Sequence, residues 1–189
     1  MIMSLFRRAS KNRNRRIVDL AYASIVEAAR DPVFYAEWGV PDTPLGRYES
    51  IGLHLILYLH RLRGASGPAE DFSRDVLDEF FKDVDHSIRE LGVGDPSVPK
   101  RMKKLARMFY GRMGHYWKAL DDDNAQALGE AVARNVAPDA PETIDRARMA
   151  DYMMRARKTL GRITDEELLA GIARFPEPSE VDAGKTEVS

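Results

Sequence analysis

Residues 78–116 read DEFFKDVDHSIRELGVGDPSVPKRMKKLARMFYGRMGHY, an acidic helical segment joined through a Gly/Pro turn to a helical segment without a single acid. At about 100° per residue, Met102, Leu105, Ala106, Phe109, Met113, Tyr116, Trp117 and Leu120 gather on one side of the second segment. Lys100, Lys103, Lys104, Arg107 and Lys118 gather on the other. The apolar side is built for a core and the cationic side for something anionic. Gly111 and Gly114 fall among the lysines, where the missing Cβ weakens the helix but lets another surface approach closely.

Working outward, helical periodicity with start and stop signals recurs along the chain and no stretch sustains a period of two. The sequence predicts an all-α fold, a single-domain bundle of about seven or eight helices over 14–175. A flexible basic arm is expected over 1–13 and a disordered acidic tail over 176–189. The first helix, over 14–30, is expected to bury Ile17, Leu20, Ala21, Ile25 and Ala28. Asp31-Pro32 and Thr43-Pro44 each place a capping side chain before a proline suited to the first helical turn. The helix after Thr43 runs to Arg63 and is apolar nearly all round, as a central helix would be, with Gly64 behind it as C-cap. The acidic helix, over 71–91, is expected to bury Val76, Leu77, Phe80, Phe81, Val84, Ile88 and Leu91 before Gly92 stops it. Ser97 is the expected N-cap of the basic helix, which ends near Leu120. Further helices are expected to Val136, over 141–160, and from the Thr164 to Glu167 capping box to Phe175.

The chain has 189 residues, 44% hydrophobic and 31% charged, with a formal net charge of −1, so any electrostatic recognition must come from local segregation. That segregation is pronounced. The first sixteen residues carry Arg7, Arg8, Lys11, Arg13, Arg15 and Arg16 and no acid, whereas acids outnumber bases seven to three over 71–90. The N-terminal order, apolar residues including Leu5 and Phe6 ahead of the arginines, fits an interfacial anchor, a frayed basic tail or a short organelle presequence. The longest apolar run, over 51–62, is interrupted by His54, His60 and Arg61 and falls short of the roughly 20 residues a membrane span needs. With no cysteine, disulfides and thiolate chemistry are excluded.

Candidate catalytic groups are few. His54 and His60 stand about 240° apart on a helix and share no face. His54 reads as a core histidine bonded to backbone or to a neighbour. His86 follows Asp83 by three residues, but a bundle metal site needs more inward-facing ligands than this. Gly92-Val93-Gly94-Asp95-Pro96-Ser97 precedes a helix, yet a helix and not a strand leads into it, and no Gly-Lys-Ser/Thr follows. It reads as a tight helix–helix turn. The spacing supports no catalytic residue, metal or cofactor.

Arg89-Glu90-Leu91-Gly92-Val93-Gly94-Asp95, then 97–106 (SVPKRMKKLA), then Phe109-Tyr110-Gly111-Arg112 resembles the core of the ubiquinol–cytochrome c chaperone family, which assembles the cytochrome bc1 complex. The likeness takes in the Phe80-Phe81-x-Asp83 stretch, Trp38 and residues 51–63, and so spans roughly 21–120. Pro96 departs from it, standing where the family pattern has an aliphatic residue. The resemblance implies a non-enzymatic chaperone that binds newly made cytochrome b and supports haem insertion and assembly. It also implies a small helper protein and proximity to the ribosome. The protein would act at the cytoplasmic face of the inner membrane, or on the matrix side in a mitochondrion.

The partner-binding surface expected on this reading comprises Lys100, Lys103, Lys104, Arg107, Tyr110, Gly111 and Arg112 with the turn residues Gly92, Gly94 and Asp95. Leu5, Phe6, Arg7 and Arg8 are expected to touch membrane or partner. The same cations fit a ribosome- or RNA-binding module. An unfamiliar helical enzyme would have to use His54, His86 or His115. Lipid, an acidic protein and RNA all satisfy the basic face, and the sequence does not choose among them.

Overall fold

A computed structural model describes the backbone of residues 2–178 and the side chains of residues 14–178. Among these residues there are eight α-helices and no strand. They are α1 (Ile2–Ala29), α2 (Pro32–Ala36), α3 (Pro44–Arg61), α4 (Pro68–Glu90), α5 (Val98–Asp121), α6 (Ala125–Val136), α7 (Arg146–Gly161) and α8 (Asp165–Leu169). The all-α expectation holds.

α3 forms the axis because its sequence has no polar face wide enough to meet water. Every residue from Tyr48 to Leu59 is buried, and Leu53, Leu55, Ile56 and Leu57 each contribute about 1.5–3 kcal/mol through burial. α1, α4, α5, α6 and α7 wrap round it, each packed on the next in that order and all in contact with α3. Glycines permit close backbone approaches within and between these helices. A Cβ on Gly46 would stand 1.9 Å from the Pro41 carbonyl oxygen, and one on Gly129 would stand 2.6 Å from that of Arg146, where α6 crosses the start of α7.

The caps follow the expected chemistry at Asp31, which accepts from the Val33 N–H, and at Thr43, which accepts from the Gly46 N–H. Thr164 and Glu167 form the full capping box. Ser97 differs: it makes no side-chain cap bond, because a 3₁₀ turn over Asp95–Ser97 leads directly into α5. Asn124 caps α6 by accepting from the Ala127 N–H. A second 3₁₀ turn occupies Pro141–Thr143, and Asp145 opens α7.

Several burial expectations shift. In α1 the buried stripe is Val18, Ala21, Tyr22, Ile25 and Ala29, and Leu20 is 52% exposed. At the end of α4, Leu91 is 60% exposed instead of buried. α8 stops at Leu169, and the following segment packs on the core without regular secondary structure, setting the Phe175 ring 5.2 Å from the His54 ring. Ordered packing continues past Phe175: Arg155 Nη2 donates to the Glu177 carbonyl at 3.5 Å, and Pro178 is buried. α1 already begins at Ile2, ahead of the expected onset near Asn14. The expectations placed on Leu5, Phe6, Arg7 and Arg8 concern side chains outside the described residues.

Candidate docking surface

α5 packs on α3, α4 and α6 through Phe109, Tyr116, Ala119 and Leu120, which are buried, and this fixes which of its faces looks outward. Lys100, Arg101, Lys103, Lys104 and Arg107 are all exposed, and among the described residues none has a carboxylate within ion-pair distance. Gly111 and Gly114 lie exposed on the same face, with nothing within 4 Å of where a Cβ would be. Tyr110 is 49% exposed on its flank, its ring 5.6 Å from Phe109 and 6.3 Å from Phe81.

The acidic helix next to this ridge forms no ion pair with it among the described residues, and most of its carboxylates are engaged elsewhere. Glu70 and Asp71 meet Arg74, Glu79 meets Lys82, Asp85 meets Arg89, and Glu90 lies 3.1 Å from His86. Asp83 accepts the Tyr22 hydroxyl at 2.7 Å. Burial, with Asp83 as the acceptor, raises the Tyr22 pKa and keeps the phenol protonated.

Two cations in the segment do find partners. Lys118 lies 2.6 Å from Asp122. Arg112, expected on the exposed surface, instead turns inward, with Nη2 2.7 Å from Glu49 Oε1 and 3.3 Å from the Asn135 carbonyl. Its side chain is 12% exposed and that of Glu49 is 2% exposed, so the pair is a strut between α3 and α5. In the turn, Gly92 has φ +76°, a left-handed conformation that suits glycine, whereas Gly94 is extended at φ −60°. Asp95 pairs with Arg89 and closes the turn against the end of α4.

Beside the ridge, and not foreseen from sequence, an open cleft of about 650 Å³ lies between α3, α4 and α5. Tyr48, Ile51, Phe80, Val84 and Ile88 line it and are buried, and Leu45 (45% exposed) and Leu91 border it.

The histidines are occupied structurally. His54 Nδ1–H donates to the Ser50 carbonyl at 2.8 Å, and since a carbonyl can only accept, Nε2 is left to accept the Tyr152 hydroxyl, also at 2.8 Å. Burial holds its pKa down to about 4, so the ring is neutral at pH 7. His60 sits 2.9 Å from Asp121, which also receives Arg63, and His115 Nδ1–H donates to the Gly111 carbonyl at 2.8 Å. Among the described residues no three His, Asp or Glu side chains converge as metal ligands. No helix among them is long and apolar enough to cross a membrane.

A helical body with an unpaired cationic ridge beside an apolar cleft can hold a partner by charge and by apolar contact together, which is the chemistry of a docking protein. The chain belongs to the ubiquinol–cytochrome c chaperone family, whose model matches residues 36–175. It is similar to the Cbp3 homolog from Brucella abortus, whose crystal structure shares 51% identity at a TM-score of 0.86, covering 96% of this chain and 100% of that one. No curated protein matches the chain significantly. The family match contains the Gly-Val-Gly-Asp turn and the basic helix, and extends past Leu120, where the sequence likeness ended, to include α6, α7 and α8.

Proposed function

We propose that this chaperone binds newly made cytochrome b and supports its maturation into the cytochrome bc1 complex without catalysing a reaction. The observation that carries the reading is the α5 ridge, where Lys100, Lys103, Lys104 and Arg107 stand exposed without carboxylate partners among the described residues. Repulsion within such a row is relieved when an anionic surface covers it. A membrane client presents anionic headgroups beside its cytoplasmic loops, so a protein working peripherally at the cytoplasmic face of the inner membrane, or the matrix face in a mitochondrion, meets that surface there. A small helper protein and the ribosome are further partners on this reading.

Charge reversal at Lys103 and Lys104 tests it. In a strain lacking the gene, a Lys103→Glu, Lys104→Glu copy is expected to restore less cytochrome b in reduced-minus-oxidised spectra than the wild-type copy. The purified variant should keep its helical circular dichroism and melting temperature. Full restoration of cytochrome b by the variant refutes the role given to the ridge.

A ribosome- or RNA-binding role draws on the same cations and on the half-exposed Tyr110. It requires an RNA affinity that falls steeply with salt through counterion release, and negligible binding at physiological salt dismisses it.

A further inference from the structure

We infer that the cleft between α3, α4 and α5 is a binding site for a single-chain amphiphilic anion, a long-chain fatty acid carboxylate, with its hydrocarbon on the apolar floor and its head at the α5 rim. This goes beyond the chaperone reading and does not depend on it. The volume of about 650 Å³ falls within the range of roughly 300–1,000 Å³ typical of small-molecule sites. The floor is Tyr48, Ile51, Phe80, Val84 and Ile88, with Leu105 and Met108 completing the α5 wall.

Charge at the mouth selects the head. Of the acids that line the cleft, Asp83 is held by Tyr22 and Glu90 lies against His86. Arg47 is taken by Asp42. Arg30, Arg101 and Lys104 also line the cleft without an ion-pair partner among the described residues, and these three cations outnumber the two carboxylates, which no Lys or Arg pairs with, so the lining keeps a net positive charge.

The walls select the tail. They are helical, with backbone N–H and C=O groups spent within each helix, so an extended peptide laid in the cleft would bury its own amides without partners. An alkyl chain carries no amides and meets no such cost.

Oleate titrated into the full chain by calorimetry is the test. Saturable one-to-one binding with a dissociation constant on the order of 10 µM is expected, with oleyl alcohol about tenfold or more weaker because it lacks the charge. Arg101→Glu with Lys104→Glu, both at exposed positions, should weaken oleate by about tenfold or more. Nitroxide-labelled stearate should broaden the methyl resonances of Met108 and Leu105 and spare Met149 in α7, a readout that needs no variant to fold. Failure to saturate, equal affinity for oleyl alcohol, indifference to the double charge reversal, or broadening away from Met108 each overturns the site. So does association with anionic vesicles in the absence of any one-to-one oleate binding. None of these outcomes bears on cytochrome b levels in the complemented strain, so the two proposals fail separately.

Discussion

Arg112 reaches from α5 to Glu49 at the buried centre of α3 and closes a 2.7 Å ion pair between the helix that carries the ridge and the helix that forms the axis. Burial pushes the Glu49 carboxyl up, and the Arg112 guanidinium opposes that rise. Arg112 offsets only part of the burial penalty, and the Glu49 pKa stands raised to about 8. Arg112→Ala leaves the buried Glu49 carboxyl without its partner, so that it takes up a proton, and is expected to cost about 1–3 kcal/mol, whereas Arg112→Met with Glu49→Leu removes both polar groups and should recover most of the loss. Urea unfolding at pH 7.5 checks this; equal destabilisation by the single and the double variant would refute mutual compensation.

His54 makes stability depend on pH in a defined direction. Its folded pKa of about 4 lies below the unfolded value near 6.5, so between them the unfolded chain binds a proton the folded chain refuses. Stability therefore falls as pH drops from about 6.5 toward 4, by roughly 3 kcal/mol over the whole interval. Denaturant midpoints at pH 7.5, 6.5 and 5.5 should show a steeper decline for the wild type than for His54→Gln. Parallel declines would assign the effect to other groups.

The glycines separate into two classes with opposite expected signs. Gly46→Ala and Gly129→Ala drive a Cβ into a backbone carbonyl and should destabilise by more than about 2 kcal/mol. Gly111→Ala and Gly114→Ala meet open space within a helix and should stabilise by up to about 1 kcal/mol each. If Gly111→Ala raises the melting temperature and lowers cytochrome b in the complemented strain, the bare backbone there serves contact. A gain in stability with full complementation removes Gly111 from the docking surface.

Phe175 is half-buried and meets His54 edge to face, in a segment that has already left α8. Phe175→Ala should cost about 2 kcal/mol through lost packing and speed proton exchange at the His54 ring, seen by nuclear magnetic resonance. Unchanged stability would show that this segment lies on the core without bracing it.

The fold was readable where one local rule acted alone: the prolines after Asp31 and Thr43, the Thr164 box and the apolar girth of α3 all behave as their chemistry requires. It was misread where the neighbour decides. Leu20 and Leu91 satisfy the helical spacing of a core face, yet no helix covers either, because the buried stripe of α1 is shifted by about one residue and α4 ends at Glu90, leaving Leu91 as its C-cap. At the docking surface, the ridge followed from the wheel, since Lys100, Lys103, Lys104 and Arg107 point away from Phe109 and Tyr116. Arg112 was misread as part of that surface, although the wheel carries the signal for its burial. It falls about 20° from Leu105 on the same wheel, on the apolar side, and the central helix holds one carboxylate, Glu49, to receive it. The cleft was not legible, because it arises from the splay of three helices and no single segment encodes it.

The hydroxyl that accompanies His54 belongs to a tyrosine 98 positions downstream, and the carboxylate that receives Tyr22 lies 61 positions downstream. The axial helix is thus clad by segments made both before and long after it. During synthesis its apolar flanks stay uncovered until α7 has emerged, so the nascent chain passes through an interval in which this chaperone is itself a sticky, half-wrapped client.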